Sequence, residues 1–168
     1  MASLRDAGPA DFPALLALNA ESEHFLSPMD APRLSQLFAQ AAYCRVLEQD
    51  GEVAAFLLAF REAADYDSLN YRWFATRYPQ FLYIDRVVVA ASHQGKGLGV
   101  LLYADLFRFA RQHGVARITC EFDTEPPNEA SRRFHARFGF HEVGTQWVAN
   151  GKKQVSLQEA RSDGYVTE

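Results

Sequence analysis

From residue 93 to residue 99 the chain reads His-Gln-Gly-Lys-Gly-Leu-Gly, which sets Gly95, Gly97 and Gly99 around Lys96. Glycine has no Cβ, so a loop of this kind lets a ligand approach bare backbone and makes positive φ cheap. The residues that follow carry apolar side chains at helical spacing, so the loop opens a helix. The first N–H groups of a helix lack partners within it and carry partial positive charge. Loop, helix start and Lys96 together form an anion site of the sort that suits phosphate. A tight glycine turn with no ligand uses the same residues, and the loop alone does not separate the two readings.

Two common phosphate loops are excluded. A metal-bound nucleotide triphosphate loop needs Gly-Lys followed by Ser or Thr, and Lys96 is followed by Gly97. A dinucleotide fingerprint needs G-x-G-x-x-G at the first strand–helix turn. The spacing here is Gly95-x-Gly97-x-Gly99, and the unit lies in the middle of the chain.

The elements around the loop are legible from periodicity and turn residues. A strand near Ser3–Arg5 leads to a helix with Asp11 as its cap and Phe12, Leu15, Leu16 and Leu18 at helical spacing. Pro28 and Pro32 interrupt the chain before a second helix from Arg33 to about Ala42. A hairpin turns at Asp50-Gly51. Residues 64–79, rich in aromatics, predict a long connection that serves as a pocket wall, a hydrophobic plug or a dimer contact. "FLYIDRVVV" (81–89) is too apolar for an edge strand. Residues 98–113 form a helix with Leu98, Leu101, Leu102, Leu106 and Phe109 on one face and Gly114 as its end. "ARITCEF" is a strand parallel to the previous one by the crossover rule. A short helix capped by Asn128 packs through Phe134 and Phe138 and stops at Gly139, and a last hairpin turns at Asn150-Gly151. The sum is α+β or α/β rather than doubly wound, because strand and helix do not alternate throughout. We expect one domain over 1–160 and a loose polar tail over 161–168.

With 168 residues and a net charge of −4, the chain suits one well-filled domain and argues against a protein that coats nucleic acid. No stretch resembles a signal peptide or spans a bilayer, so a cytoplasmic protein with no membrane partner is expected. Cys44 and Cys120 make no metal or disulfide framework and read as small buried thiols; no metal is expected.

Gln94-Gly95-Lys96-Gly97-Leu98-Gly99 resembles the Q/R-x-x-G-x-G/A signature of the GNAT superfamily of acyl-CoA-dependent N-acyltransferases. The resemblance continues downstream in the form N-x-x-S/A-x-x-F/L-Y-x-x-x-G-F. Asn128, Ser131, Phe134, Gly139 and Phe140 stand at those spacings, with His135 in place of the usual tyrosine. The order of elements agrees from about residue 3 to residue 158. The resemblance implies a GNAT-like mixed, mostly antiparallel sheet with flanking helices and a central parallel strand pair that splays apart. It implies that the pantetheine arm of acetyl-CoA pairs with main chain of Val87, Val88 and Val89. The diphosphate would rest on the amides of Gln94, Gly95, Lys96, Gly97, Leu98 and Gly99, and Asn128 and Ser131 would lie on the cofactor arm.

The resemblance also implies direct attack by an amine within a ternary complex, so no cysteine nucleophile is needed. Asp85, two residues before Val87 on the same strand face, is the first candidate base; it could instead pair with Arg86 or Arg117. Glu121 and Asp123 are reserves that could equally bind a cationic amine or face solvent. His135 replaces the tyrosine that acts as general acid in many relatives, and a histidine on a helix surface is often structural. Arg132, Arg133 and Arg137 form a solvated basic face or touch outer phosphates. The function implied is transfer of an acetyl group from acetyl-CoA to a primary amine, a small molecule or an amino terminus. The alternative is an acyl-CoA-binding sensor without turnover. The acceptor is a small-molecule or peptide amine, and the resemblance leaves room for a homodimer.

Overall fold

The computed structural model describes residues 2–23, 26–125 and 127–165. Hydrogen bonding joins its strands, numbered along the chain as β1 (3–6), β2 (43–49), β3 (52–61), β4 (82–89), β5 (117–125), β6 (141–148) and β7 (153–161), into a seven-stranded mixed sheet of order β1-β2-β3-β4-β5-β7-β6. The chain forms two compact units, residues 1–60 with 84–106 and residues 61–83 with 107–168. Among the described residues, no helix is long and apolar enough to cross a membrane.

In the first unit β1 (Ser3–Asp6) runs antiparallel to β2 (Tyr43–Gln49), which runs antiparallel to β3 (Glu52–Arg61). Asp50 and Gly51 take φ of 55° and 81°, the backbone that a tight hairpin demands and the Asp-Gly pair predicts. Ala54 to Phe60 are all buried, so β3 is covered on both faces. Helix α1 (Phe12–Glu21) differs from expectation at its start. Asp11 does not cap it; the carboxylate accepts the Gly8 N–H at 2.8 Å and both guanidinium nitrogens of Arg5, each at 2.8 Å. Helix α2 (Ala31–Gln40) begins two residues earlier than expected. Asp30 caps it through the Arg33 N–H at 2.9 Å, and Pro32 sits in the first turn, where a missing N–H does no harm.

In the second unit the first residues of β4 (Leu82–Val89) pair in parallel with β5 (Arg117–Glu125), Leu82 opposite Ile118 and Tyr83 opposite Thr119. β7 (Lys153–Arg161) is antiparallel to β5 and to β6 (His141–Val148), and Asn150 and Gly151 make the hairpin turn at φ of 57° and 81°. The aromatic segment 64–79 contains a helix, α3 (Leu69–Ala75), capped by Ser68. Tyr71 and Phe74 are buried against Phe81 and Tyr83, with ring centroids 5.6–6.3 Å apart. The segment fills core, as the plug reading has it.

Helix α4 (Leu98–Gln112) buries Leu98, Leu102 and Leu106 as expected, but Leu101 is 48% exposed. Tyr103, Phe107 and Ala110 complete the buried face instead, because the ridge follows i, i+4 steps. Helix α5 (Glu129–Ala136) ends before Gly139 at φ 84°. The expected loose tail is tied down as far as Tyr165: its ring lies 4.4 Å from that of Phe138, and Arg111 donates to the Ser162 and Tyr165 carbonyls at 2.8 and 2.9 Å.

Candidate active site

The glycine loop lies in the first unit. β4 ends at Val89, a 3-10 turn spans Ala91–His93, and α4 starts at Leu98. Gly95 and Gly97 take φ of 78° and 79°, and a Cβ on either would meet nothing within 4 Å. Glycine is therefore required there by backbone conformation, and the space beside the loop is open. Gly99 lies inside α4. Leu101 donates to the Gly97 carbonyl at 3.2 Å as the helix begins, so the N–H groups of Leu98, Gly99 and Val100 precede the first helical bond. The Gln94 side-chain amide donates to the Val89 carbonyl at 3.3 Å, closing the loop onto the strand, and Lys96 is exposed. Backbone donors, a helix start and an ammonium suit a diphosphate, so these residues fit the acidic part of acetyl-CoA.

On β4, Asp85, Val87 and Val89 alternate with the buried Arg86 and Val88. Asp85 and Arg86 side chains are both 6% exposed, and Arg86 Nε lies 3.2 Å from Asp85 Oδ2. Arg86 also donates to Asn19 Oδ1 at 3.0 Å and to the Ser27 carbonyl at 2.8 Å, which fixes the guanidinium beneath α1. Of the pairings open to Asp85 in the sequence, the one with Arg86 is realised. Arg117 pairs with Glu159 at 3.0 Å and stacks on Tyr78 at 3.7 Å.

Asn128, at the cap of α5, and Ser131 and His135, on the helix itself, come together in the second unit. Asn128 Oδ1 accepts the Ser131 N–H at 3.2 Å, so the expected cap is present. His135 is not on the helix surface: it is 6% exposed, among the rings of Phe122, Phe134 and Phe140 at 5.3–5.6 Å. Its Nδ1 lies 2.7 Å from the Ser131 carbonyl, an acceptor only, so the proton sits on Nδ1. Ser131 Oγ is 3.2 Å from the same nitrogen. Burial holds the imidazole pKa below its ordinary 6.5, and the ring is neutral at neutral pH. The arginines of this helix behave as a surface: Arg132 pairs with Glu129 at 2.8 Å, and Arg137 lies 5.8 Å over the Phe134 ring.

Glu121 on β5 is the centre of a polar network in the same unit. The Tyr83 hydroxyl lies 2.9 and 2.8 Å from its two carboxylate oxygens, and Asn70 Nδ2 donates to Oε1 at 3.1 Å. Gln146 Nε2 donates to Asn70 Oδ1 at 3.0 Å. Asp123 pairs with Lys153 at 3.6 Å. Asn70, Tyr83 and Gln146 escape sequence reasoning because they lie on separate elements, and no local spacing links them to Glu121. Burial pushes the Cys44 thiol up to about 12 and the Cys120 thiol well above the usual range, so both are held in the protonated form.

The sequence pattern of the Acetyltransferase (GNAT) family matches residues 11–140, most of the chain, and the chain belongs to that family. A stretch of 59 residues is 48% identical to the phosphinothricin N-acetyltransferase of Streptomyces coelicolor, covering 35% of this chain. The match spans about a third of that curated relative's length, 33%. The ribosomal-protein-alanine N-acetyltransferase of Brucella melitensis superposes with a TM-score of 0.74 at 23% identity, covering 95% of this chain and 99% of that one. The Salmonella typhimurium protein yncA, solved with its cofactor acetyl-CoA, superposes with a TM-score of 0.71 at 21% identity, covering 100% of this chain and 98% of that one. At these identities the superpositions establish the fold.

Proposed function

We propose that the protein is an acyl-CoA-dependent N-acyltransferase that moves an acetyl group from acetyl-CoA to a primary amine by direct attack. The observation that carries this reading is the cradle at the start of α4. Gly95 and Gly97 hold positive φ beside open space, and the N–H groups ahead of the Leu101–Gly97 bond point from a helix start. Acetyl-CoA supplies a thioester that the amine converts to an amide, with release of the CoA thiol. The amides of 94–99 and Lys96 would hold its diphosphate, main chain of Val87–Val89 its pantetheine, and Asn128 and Ser131 would flank the arm.

Asp85 is the proposed base that takes the proton from the amine; its ion pair with Arg86, the pairing that the sequence reading set against this role, holds the carboxylate charged and weakens its pull on the proton. His135 is the proposed group beside the thiol. Its Nδ1 is committed to Ser131, so donation requires that Nε2 first take a proton, which burial opposes. That opposition is what favours the second reading, an acyl-CoA sensor without turnover. The named relative makes an amino-acid-like amine such as phosphinothricin one acceptor class to test; an amino terminus is another.

Release of free thiol from acetyl-CoA, followed over a panel of amines, separates the readings. Turnover in the wild type, falling about a hundredfold or more in Asp85→Asn with acetyl-CoA affinity retained, is the expected outcome. Tight acetyl-CoA binding with no turnover on any amine would establish the sensor instead.

A further inference from the structure

We propose that the Gln94 side chain is a positioning residue for the cofactor loop: it ties the loop to the last carbonyl of β4 before any ligand arrives. The N–H groups ahead of α4 are then already set for a diphosphate. This rests on the acyl-CoA reading of the loop given above. The Val89 carbonyl and the Ala90 N–H belong to one trans peptide and point opposite ways. The Ala90 N–H donates to the Ala54 carbonyl of β3 at 2.8 Å, so the Val89 carbonyl points to the side of β4 away from β3. There it accepts from Gln94 Nε2 at 3.3 Å. A carbonyl only accepts, which sets the Gln94 amide with its nitrogen toward the strand.

A second tie comes from α1. The 3-10 turn Ala91–His93 lies between β4 and Gln94, and its first N–H, that of Ala91, donates to Glu21 Oε1 at 3.2 Å. Glu21 is the last residue of α1, where the partial negative charge of a helix end disfavours a carboxylate. The acid does not serve its own helix there; it serves the shoulder of the loop. Beyond Gln94 the side-chain ties give way to glycine. Gly95 and Gly97 hold φ of 78° and 79° beside open space, and residues 94–97 are exposed. Side chains thus fix the near half of the loop while bare backbone in the far half is left within reach of a ligand. A loop ordered beforehand loses less freedom on binding, which strengthens the complex without any new contact to the ligand.

Gln94→Met keeps the length of the side chain and its neutrality but removes the donor; Gln94→Ala repeats the test should that variant lose its fold. Nitrogen-15 relaxation of the free protein is expected to show more ps–ns motion at Gly95 and Gly97 in the variant than in the wild type. Calorimetry is expected to show free CoA bound roughly threefold to tenfold more weakly, the scale of one neutral hydrogen bond, with the Tm unchanged. Glu21→Ala should weaken CoA in the same direction, and Glu21→Gln, which keeps an acceptor for the Ala91 N–H, should recover the loss. Unchanged CoA affinity in Gln94→Met overturns the proposal. So does weaker binding with no change of motion in the free protein, because the side chain would then act on the cofactor itself. A Glu21→Gln that binds no better than Glu21→Ala overturns the second tie. A wild type that does not bind CoA strikes the acyl-CoA reading instead.

Discussion

The Nδ1 proton of His135 points at a carbonyl, and the imidazole packs beside the rings of Phe122, Phe134 and Phe140. A second proton on this ring costs more in the folded protein than in the unfolded chain, whose histidine titrates near 6.5. The unfolded chain therefore binds the proton first as pH falls. Stability from the neutral ring is complete above about pH 6.5 and is lost as pH drops through the lower folded value. The slope from this one group reaches at most about 1.4 kcal/mol per pH unit. Urea unfolding between pH 5 and 7 should show a shallower pH dependence in His135→Phe than in the wild type. Parallel profiles would mean that burial does not perturb this ring.

At the scale of elements, α3 shows how the second unit sets its polar network. Trp73 of α3 lies against Gly144 of β6, where an added Cβ would come to 2.5 Å from Trp73 Cζ2. The β6 register shifts between Glu142 and Gly144, and Arg77 stacks over Trp73 at 3.7 Å. Gly144 is thus required by close approach, and Gly144→Ala should destabilise by about 1–3 kcal/mol, the usual range for overpacking. Its Trp fluorescence should shift with it; an unchanged Tm and spectrum would show that α3 yields freely. Elements of this sort divide by how local their cause is. The glycine loop, the Asn128 cap and the turns at Asp50-Gly51 and Asn150-Gly151 are written in adjacent residues, and each is legible in the sequence. The helix α3 is not: its Asn, Tyr, Trp and Phe are modest helix formers, and core contacts with Phe81 and Tyr83 hold it. The burial of His135, the anchoring of Tyr165 and the bonds to Glu121 depend on residues far apart in sequence, so spacing alone gave no sign of them.

For the molecule as a whole, the matched family and the strand order agree on one fold, and the glycine loop is the part of it on which the proposed chemistry depends. The net charge of −4 sets the loop's Lys96 and helix start apart from an acidic background, so anion binding depends on local geometry rather than on overall charge. The most direct measurement is a calorimetric titration of acetyl-CoA into the wild type and Gly97→Val. A β-branched residue at φ of 79° is strained and closes the open side of the loop. The account predicts that the wild type binds and that Gly97→Val, still folded by circular dichroism, binds at least tenfold more weakly. A wild type that does not bind acetyl-CoA, or a variant that binds it equally well, would contradict the account.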